Sequence, residues 1–155
     1  MGRLATIGID QTDVKILQAL RSNAKLSYRQ VAEKCGISAA TAMTRIKRLE
    51  ETGVIQGYTL RIDYEKLGYD LTVITELTIT KGEDRFVKLE KEISNYPGVC
   101  LLYNVTGSAD GLVVAKFKNR KELSKFTKKL LLIDYVERTN THIVLSTMRE
   151  DLNML

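Results

Sequence analysis

The chain lacks most of what catalysis, metal binding or membrane insertion would need. It has one histidine and two cysteines, Cys35 and Cys100, which stand far apart. A structural zinc site takes about four ligands, usually in close pairs, so both thiols read as structural and neither a metal nor a cofactor is expected. No phosphate loop of the Walker or dinucleotide type is present, and no nucleophile is matched to a base, which leaves an enzyme as a distant third reading. No apolar run reaches the roughly 18 residues of a spanning helix. Met1 to Ala5 is too short and too polar for a signal peptide, so the chain is expected in the cytoplasm, with the nucleoid, and away from membranes.

What the chain does have is positive charge, unevenly placed. The net charge is +5 with a pI near 9.2 over 155 residues. Residues 1–68 hold 11 Lys+Arg against 7 Asp+Glu, while residues 69–155 hold 13 against 12. Between Arg21 and Arg48 there are seven cations and one acid, Glu33. The basicity belongs to the N-terminal part, and it suits an anionic partner.

That part is organised around residues 27–53. Ser27 with Gln30 makes a capping box, with Leu26 and Val31 placed as a hydrophobic staple. Gly36 falls where a left-handed residue ends a helix, and Ser38 two residues on is a second N-cap. The turn between the helices is as short as a helix-turn-helix allows. The second helix is expected to run to Thr52 and to bury Ala42, Ile46 and Leu49, spaced four and three apart. Ser38, Ala39, Ala40, Thr41, Thr44, Lys47 and Arg48, with Arg45 near the edge, then form the candidate DNA-binding face. Small residues let backbone approach base edges, hydroxyls exchange hydrogen bonds there, and cations reach phosphates. The competing reading is a solvated basic helix. The paired caps and short turn favour double-stranded DNA.

Ahead of this unit, Asp10 caps a helix over residues 10–23, with Asp13 at its third position and Ile16, Leu17 and Leu20 facing inward. After it, VIQGYTLRI (54–62) suggests a short strand or hairpin, a wing, and DYEKLG (63–68) a single helical turn at a hinge. We divide the chain into a winged helix-turn-helix at 1–57, a linker at 58–69 and a second domain at 70–155.

In the second domain the period changes to two. Residues 71–80 alternate, with Leu71, Val73, Leu77 and Ile79 on one side. Residues 84–95 place Phe86, Leu89 and Ile93 at helical spacing and stop at Pro97-Gly98. Residues 99–106 and 112–117 read as strands around a glycine-bracketed hairpin, Gly107 to Gly111. Asn119 and Glu122 cap a second helix whose inward stripe is Leu123, Phe126 and Leu130, and residues 136–147 close the set as a strand. The fold class is therefore α+β, with a ferredoxin-like βαββαβ second domain. Its strands carry apolar residues on both faces, while both helices cover one. The uncovered face calls for a partner, and a sheet-on-sheet homodimer is the simplest.

The segments IDQTDVKILQAL (9–20), NAKLSYRQVAEKCGIS (23–38), TRIKRLEETGVIQGY (44–58), IDYEKLG (62–68), PGV (97–99), VTGSAD (105–110) and VERTNTHIV (136–144) together resemble the Lrp/AsnC (feast/famine) transcription regulators of bacteria and archaea. The resemblance spans nearly the whole chain. It implies a DNA-binding head and a RAM-type sensing domain that dimerises through its sheet, assembles into tetramers or octamers, and binds an amino acid or related molecule between subunits. Carried over residue by residue, it assigns the effector site to Gly107, Ser108, Ala109 and Asp110, with Thr139 and Thr141 on the last strand. Ser108 and Ala109 depart from the acidic or bulky residues of many relatives. From the residues alone, Asp110-Gly111 is also ordinary hairpin chemistry. His142 alternates with the two threonines and is expected on the opposite face. The readings that stand are a sequence-specific regulator under an amino-acid effector and an architectural DNA-binding protein without one.

Overall fold

The structure, a computed structural model, describes residues 8–80, 82 and 84–151; Met1 to Ala5, read above as no signal peptide, lie outside the described residues. The chain divides into two units, Met1–Arg61 with Arg149–Leu155, and Ile62–Met148.

Three helices make the first unit: α1 (Gln11–Ser22), α2 (Tyr28–Cys35) and α3 (Ala39–Glu51). Each begins on a cap written in the sequence. Asp10 accepts from the Asp13 amide while the Asp13 carboxylate accepts from the Asp10 amide, and Ser27 with Gln30 repeats this box. Ser38 accepts from the Thr41 amide. Such caps satisfy donors that a helix start leaves open, and each stabilises by about 1 kcal/mol. Gly36, at φ 68°, ends α2 in the left-handed region, so only Gly36, Ile37 and Ser38 separate α2 from α3. The core is Ile16, Leu20, Val31, Ala32, Ala42, Ile46 and Leu49, bordered by Leu17, Leu26, Cys35, Ile37, Val54 and Ile55. Burial raises the Cys35 thiol pKa, which keeps it protonated, as a packing residue should be.

The strand or hairpin expected over residues 54–62 is not formed. The Ile55 amide still bonds to the Leu49 carbonyl, but residues 56–62 are unpaired. A strand needs an edge to bond to, and the described part of this unit contains helices alone. Tyr58 is held instead through its hydroxyl, which donates to Glu50 at 2.8 Å.

The second unit opens with the expected turn, a 3-10 helix Glu65–Leu67 ended by Gly68 at φ 80°. There follow β1 (Leu71–Ile79), α4 (Arg85–Ile93), β2 (Val99–Asn104), β3 (Gly111–Phe117), α5 (Arg120–Leu131) and β4 (Val136–Ile143). The sheet order is β2-β3-β1-β4 with every neighbouring pair antiparallel, which is the ferredoxin-like arrangement. Leu89 and Ile93 of α4 and Phe126 and Leu130 of α5 share one core with Val73, Leu77, Val113, Ala115 and Phe117. Phe126 sits between Tyr96 and Phe117, with ring centroids 5.1 and 5.2 Å away, a spacing favourable for aromatic pairs.

One strand end and one strand register differ from the sequence reading. Beyond Ile143 only the Val144 amide finds a ladder acceptor, the Thr72 carbonyl. β1 begins at Leu71, so residues after Val144 have nothing left to pair with. β2 carries a register shift between Val99 and Leu101. Val99 and Leu102 therefore join the helix-facing core while Leu101 and Tyr103 point to the other side, an arrangement that strict alternation along the strand would not produce.

Candidate DNA-reading surface and effector loop

By burying Ala42, Ile46 and Leu49, α3 turns Ala39, Ala40, Thr41, Thr44, Lys47 and Arg48 outward, with Ser38 exposed at its start. The Ser38 and Thr41 hydroxyls lie 2.8 Å apart, and the Thr44 hydroxyl donates to the Ala40 carbonyl at 3.0 Å. Each hydroxyl retains acceptor capacity. The first turn thus shows small side chains and hydroxyls, the types that read base edges in a major groove.

The cations of α3 are not equivalent. Arg45 Nη1 donates to Asp10 Oδ2 at 2.6 Å and to Asp13 Oδ1 at 3.0 Å, and Arg48 Nη2 donates to Asp13 Oδ2 at 2.5 Å. The sequence places both arginines among phosphate-reaching groups; the structure spends them first on α1. Asp13 is fully buried, and a buried carboxylate is tolerated only with such partners. The Arg45 guanidinium and the Asp13 amide hold the Asp10 carboxyl down to about 2, and the two acids raise the pKa of Arg45. Lys47 is exposed and has no ion pair among the described residues. Asp13 is the residue that sequence reasoning undervalued. Locally it is the third position of the helix that Asp10 caps, although Asp10 and Asp13 repeat the three-residue spacing of Arg45 and Arg48.

In the second unit the Gly107 to Asp110 loop joins β2 to β3 at the end of β1. Asp110 is committed on three sides. Its amide donates to the Leu77 carbonyl at 2.9 Å, its carbonyl accepts from the Val105 amide at 3.0 Å, and its Oδ2 accepts from the Ile79 amide at 2.8 Å. The amides of Gly107, Ser108 and Ala109 bond to no acceptor among the described residues. Thr139 and Thr141 pair with Leu77 and Thr75 of β1 and so lie on the helix-facing side, both half-buried. Thr141 Oγ1 is 3.1 Å from Oγ1 of the buried Thr75. Leu77 is flanked by Gly111 on one side and Thr139 on the other, which puts loop and threonine about 10 Å apart across the sheet. His142 pairs with Ile74 on the opposite face, with its Nε2 3.6 Å from Glu76 and 3.1 Å from Asn140.

A capped helix-turn-helix with a hydroxyl-bearing second helix, followed by a separate α+β unit with an open glycine loop, defines a DNA-binding protein that carries an additional domain. Known proteins agree. The profile of winged helix-turn-helix DNA-binding proteins matches residues 9–56, and that of the Lrp/AsnC ligand binding domain matches residues 72–154. An uncharacterized HTH-type transcriptional regulator of Pyrococcus abyssi is 42% identical over 94% of this chain and 98% of its own. HTH-type transcriptional regulator FL11 of Pyrococcus horikoshii is 32% identical over 93% and 94%. The crystal structure of a transcriptional regulator from Neisseria meningitidis in complex with L-Met covers 95% of this chain and 96% of that one, with a TM-score of 0.88 at 26% identity. The chain belongs to the Lrp/AsnC family of transcriptional regulators, which are DNA-binding proteins and not enzymes. Among the described residues no helix is long and apolar enough to cross a membrane.

Proposed function

We propose that the chain acts as a homodimer whose two heads read a pseudo-palindromic operator through α3, under control of an amino acid or related molecule bound between subunits of the sheet domain. The observation that carries this reading is the two-faced sheet. With α4 and α5 packed on one side, Leu101, Tyr103, Leu112, Val114 and Ile74 remain together on the other, and an apolar patch of that kind is stable in water once a second copy covers it. Pairing two sheets presents two heads at a fixed separation, matched to half-sites a whole number of helical turns apart. Assembly of dimers into tetramers or octamers, and residence in the cytoplasm on the nucleoid, belong to the same proposal, as do the functional boundaries 1–57, 58–69 and 70–155. Ser38, Ala39, Ala40, Thr41 and Thr44 read bases, and Lys47 reaches phosphate.

The open amides of Gly107, Ser108 and Ala109 suit a carboxylate, and the L-Met complex of the Neisseria neighbour supports an amino acid as its source. A second reading, an architectural protein without an effector, is favoured by one feature: the Asp110 carboxylate and the Thr141 hydroxyl already have intrachain partners. A thermal-shift screen of the common amino acids separates the two. A ligand at 100 times its Kd stabilises by about 2.7 kcal/mol, and the effector reading expects at least one such shift, lost in Asp110→Ala. No shift for any amino acid favours the architectural protein, and selection of duplexes from a random pool then asks whether a preferred sequence exists at all.

A further inference from the structure

We infer that Asp10 and Asp13 are positioning residues that neutralise the reading helix, so that Arg45 and Arg48 face DNA as fixed hydrogen-bond donors without net charge while Lys47 supplies the uncompensated charge of α3. The inference rests on the proposed reading of DNA by that helix. Its basis is the cluster of Asp10, Asp13, Arg45 and Arg48. Two guanidinium groups meet two carboxylates at 2.5 to 3.0 Å, a set whose charges cancel. Arg48 leaves it only by taking a partner from a fully buried carboxylate, which costs more than an exposed phosphate contact returns. Arg45 is held by both acids at once. A guanidinium has five N–H donors, and the side chains of Arg45 and Arg48 remain 28% and 44% exposed, so donors are left to face outward from a fixed geometry.

This matters because charge and sequence reading are separable. Binding that rests on released counterions is blind to sequence, whereas hydrogen bonds from fixed donors depend on the base edge presented. An acid pair beneath the reading helix lowers the first contribution and keeps the second. Asp10 and Asp13 thereby set how far the head favours its operator over other duplexes.

The test is the salt dependence of binding to a mixed-sequence duplex about three helical turns long, with the full chain. Each uncompensated cation on phosphate contributes about 0.9 to the slope of log K against log salt. With two heads on the duplex, Lys47→Gln is expected to reduce the magnitude of the slope by about two. Asp10→Asn, which keeps a capping side chain and frees one unit of positive charge in each head, is expected to raise that magnitude by about two. The double variant Asp10→Asn with Arg45→Gln removes a neutral pair and is expected to restore the wild-type slope. Circular dichroism verifies that each variant is folded. An Asp10→Asn slope equal to wild type, or a double variant whose slope falls in magnitude by about two below wild type, overturns the inference while leaving the regulator intact. A wild-type chain that ignores duplex DNA at low salt overturns the proposed function, and this inference with it.

Discussion

At the scale of single residues, the informative ones are charged. Asp10 and Asp13 were legible as a capping box because both partners lie within four residues, where helix geometry alone fixes the contact. Their ion pairs with Arg45 and Arg48 cross 32 to 35 residues, and no local period reports a contact made by packing α1 on α3. Asp110 shows the converse. The sequence offers hairpin chemistry and ligand chemistry for the same carboxylate, and the structure gives it a third use, a bond from the Ile79 amide of β1 at 2.8 Å. The acid cluster carries a pH dependence whose sign is fixed. The Asp10 carboxyl is lowered from its ordinary 3.8 to about 2, so its contribution to stability is complete above about pH 4 and is lost as pH falls through 2. Thermal midpoints measured across pH 5 to 2 are expected to drop in the lower half of that range, and the Asp10→Asn curve to be flatter there; parallel curves would show that the Arg45 contact contributes nothing in solution.

At the scale of elements, what was legible depended on where the determinants sit. Helix starts and stops came out to within a residue or two, because Asp10, Ser27, Ser38 and Asn119 carry their own capping chemistry and Gly36 its own backbone freedom. Strand ends did not, since a strand ends where its neighbour does: β4 stops when β1 runs out of residues, and the segment after Gly53 forms no strand among the described residues. The β2 bulge is equally non-local. Gly98 shows how tightly that joint is built. It sits at φ 94°, its carbonyl accepts from the Lys116 amide at 2.8 Å, and a Cβ there would stand 2.3 Å from the Lys116 carbonyl oxygen. Gly98→Ala must therefore pull β2 from β3 as well as strain its own backbone. The expected loss is about 3 kcal/mol or more, read from urea unfolding; a loss under 1 kcal/mol would mean that the strand start moves aside freely.

At the scale of the whole molecule, the order of elements and the fold class were legible because binary pattern and topology are coupled. Once strand, helix, strand, strand, helix, strand was read, both helices had to share a face, and the apolar residues left on the other side became the argument for a second copy. The outer face is graded. Leu101, Tyr103, Leu112, Val114 and Ile74 fill the part made by β2, β3 and β1, while Arg138, Asn140 and His142 line β4. Val114 stands between Ile74 and Leu101 in the register, which makes it the most economical place to break the pairing. A charge at Val114 is tolerated by a chain that stands alone, since that position is only half-buried, but not by one whose partner would bury it against another sheet. Val114→Glu is expected to keep its circular dichroism, to lower the mass seen by light scattering, and to weaken operator binding by about 10²-fold or more, because two tethered heads bind with an effective concentration that one head lacks. If Val114→Glu stays a dimer with undiminished affinity, the copies meet elsewhere and the spacing of the heads is set by another surface.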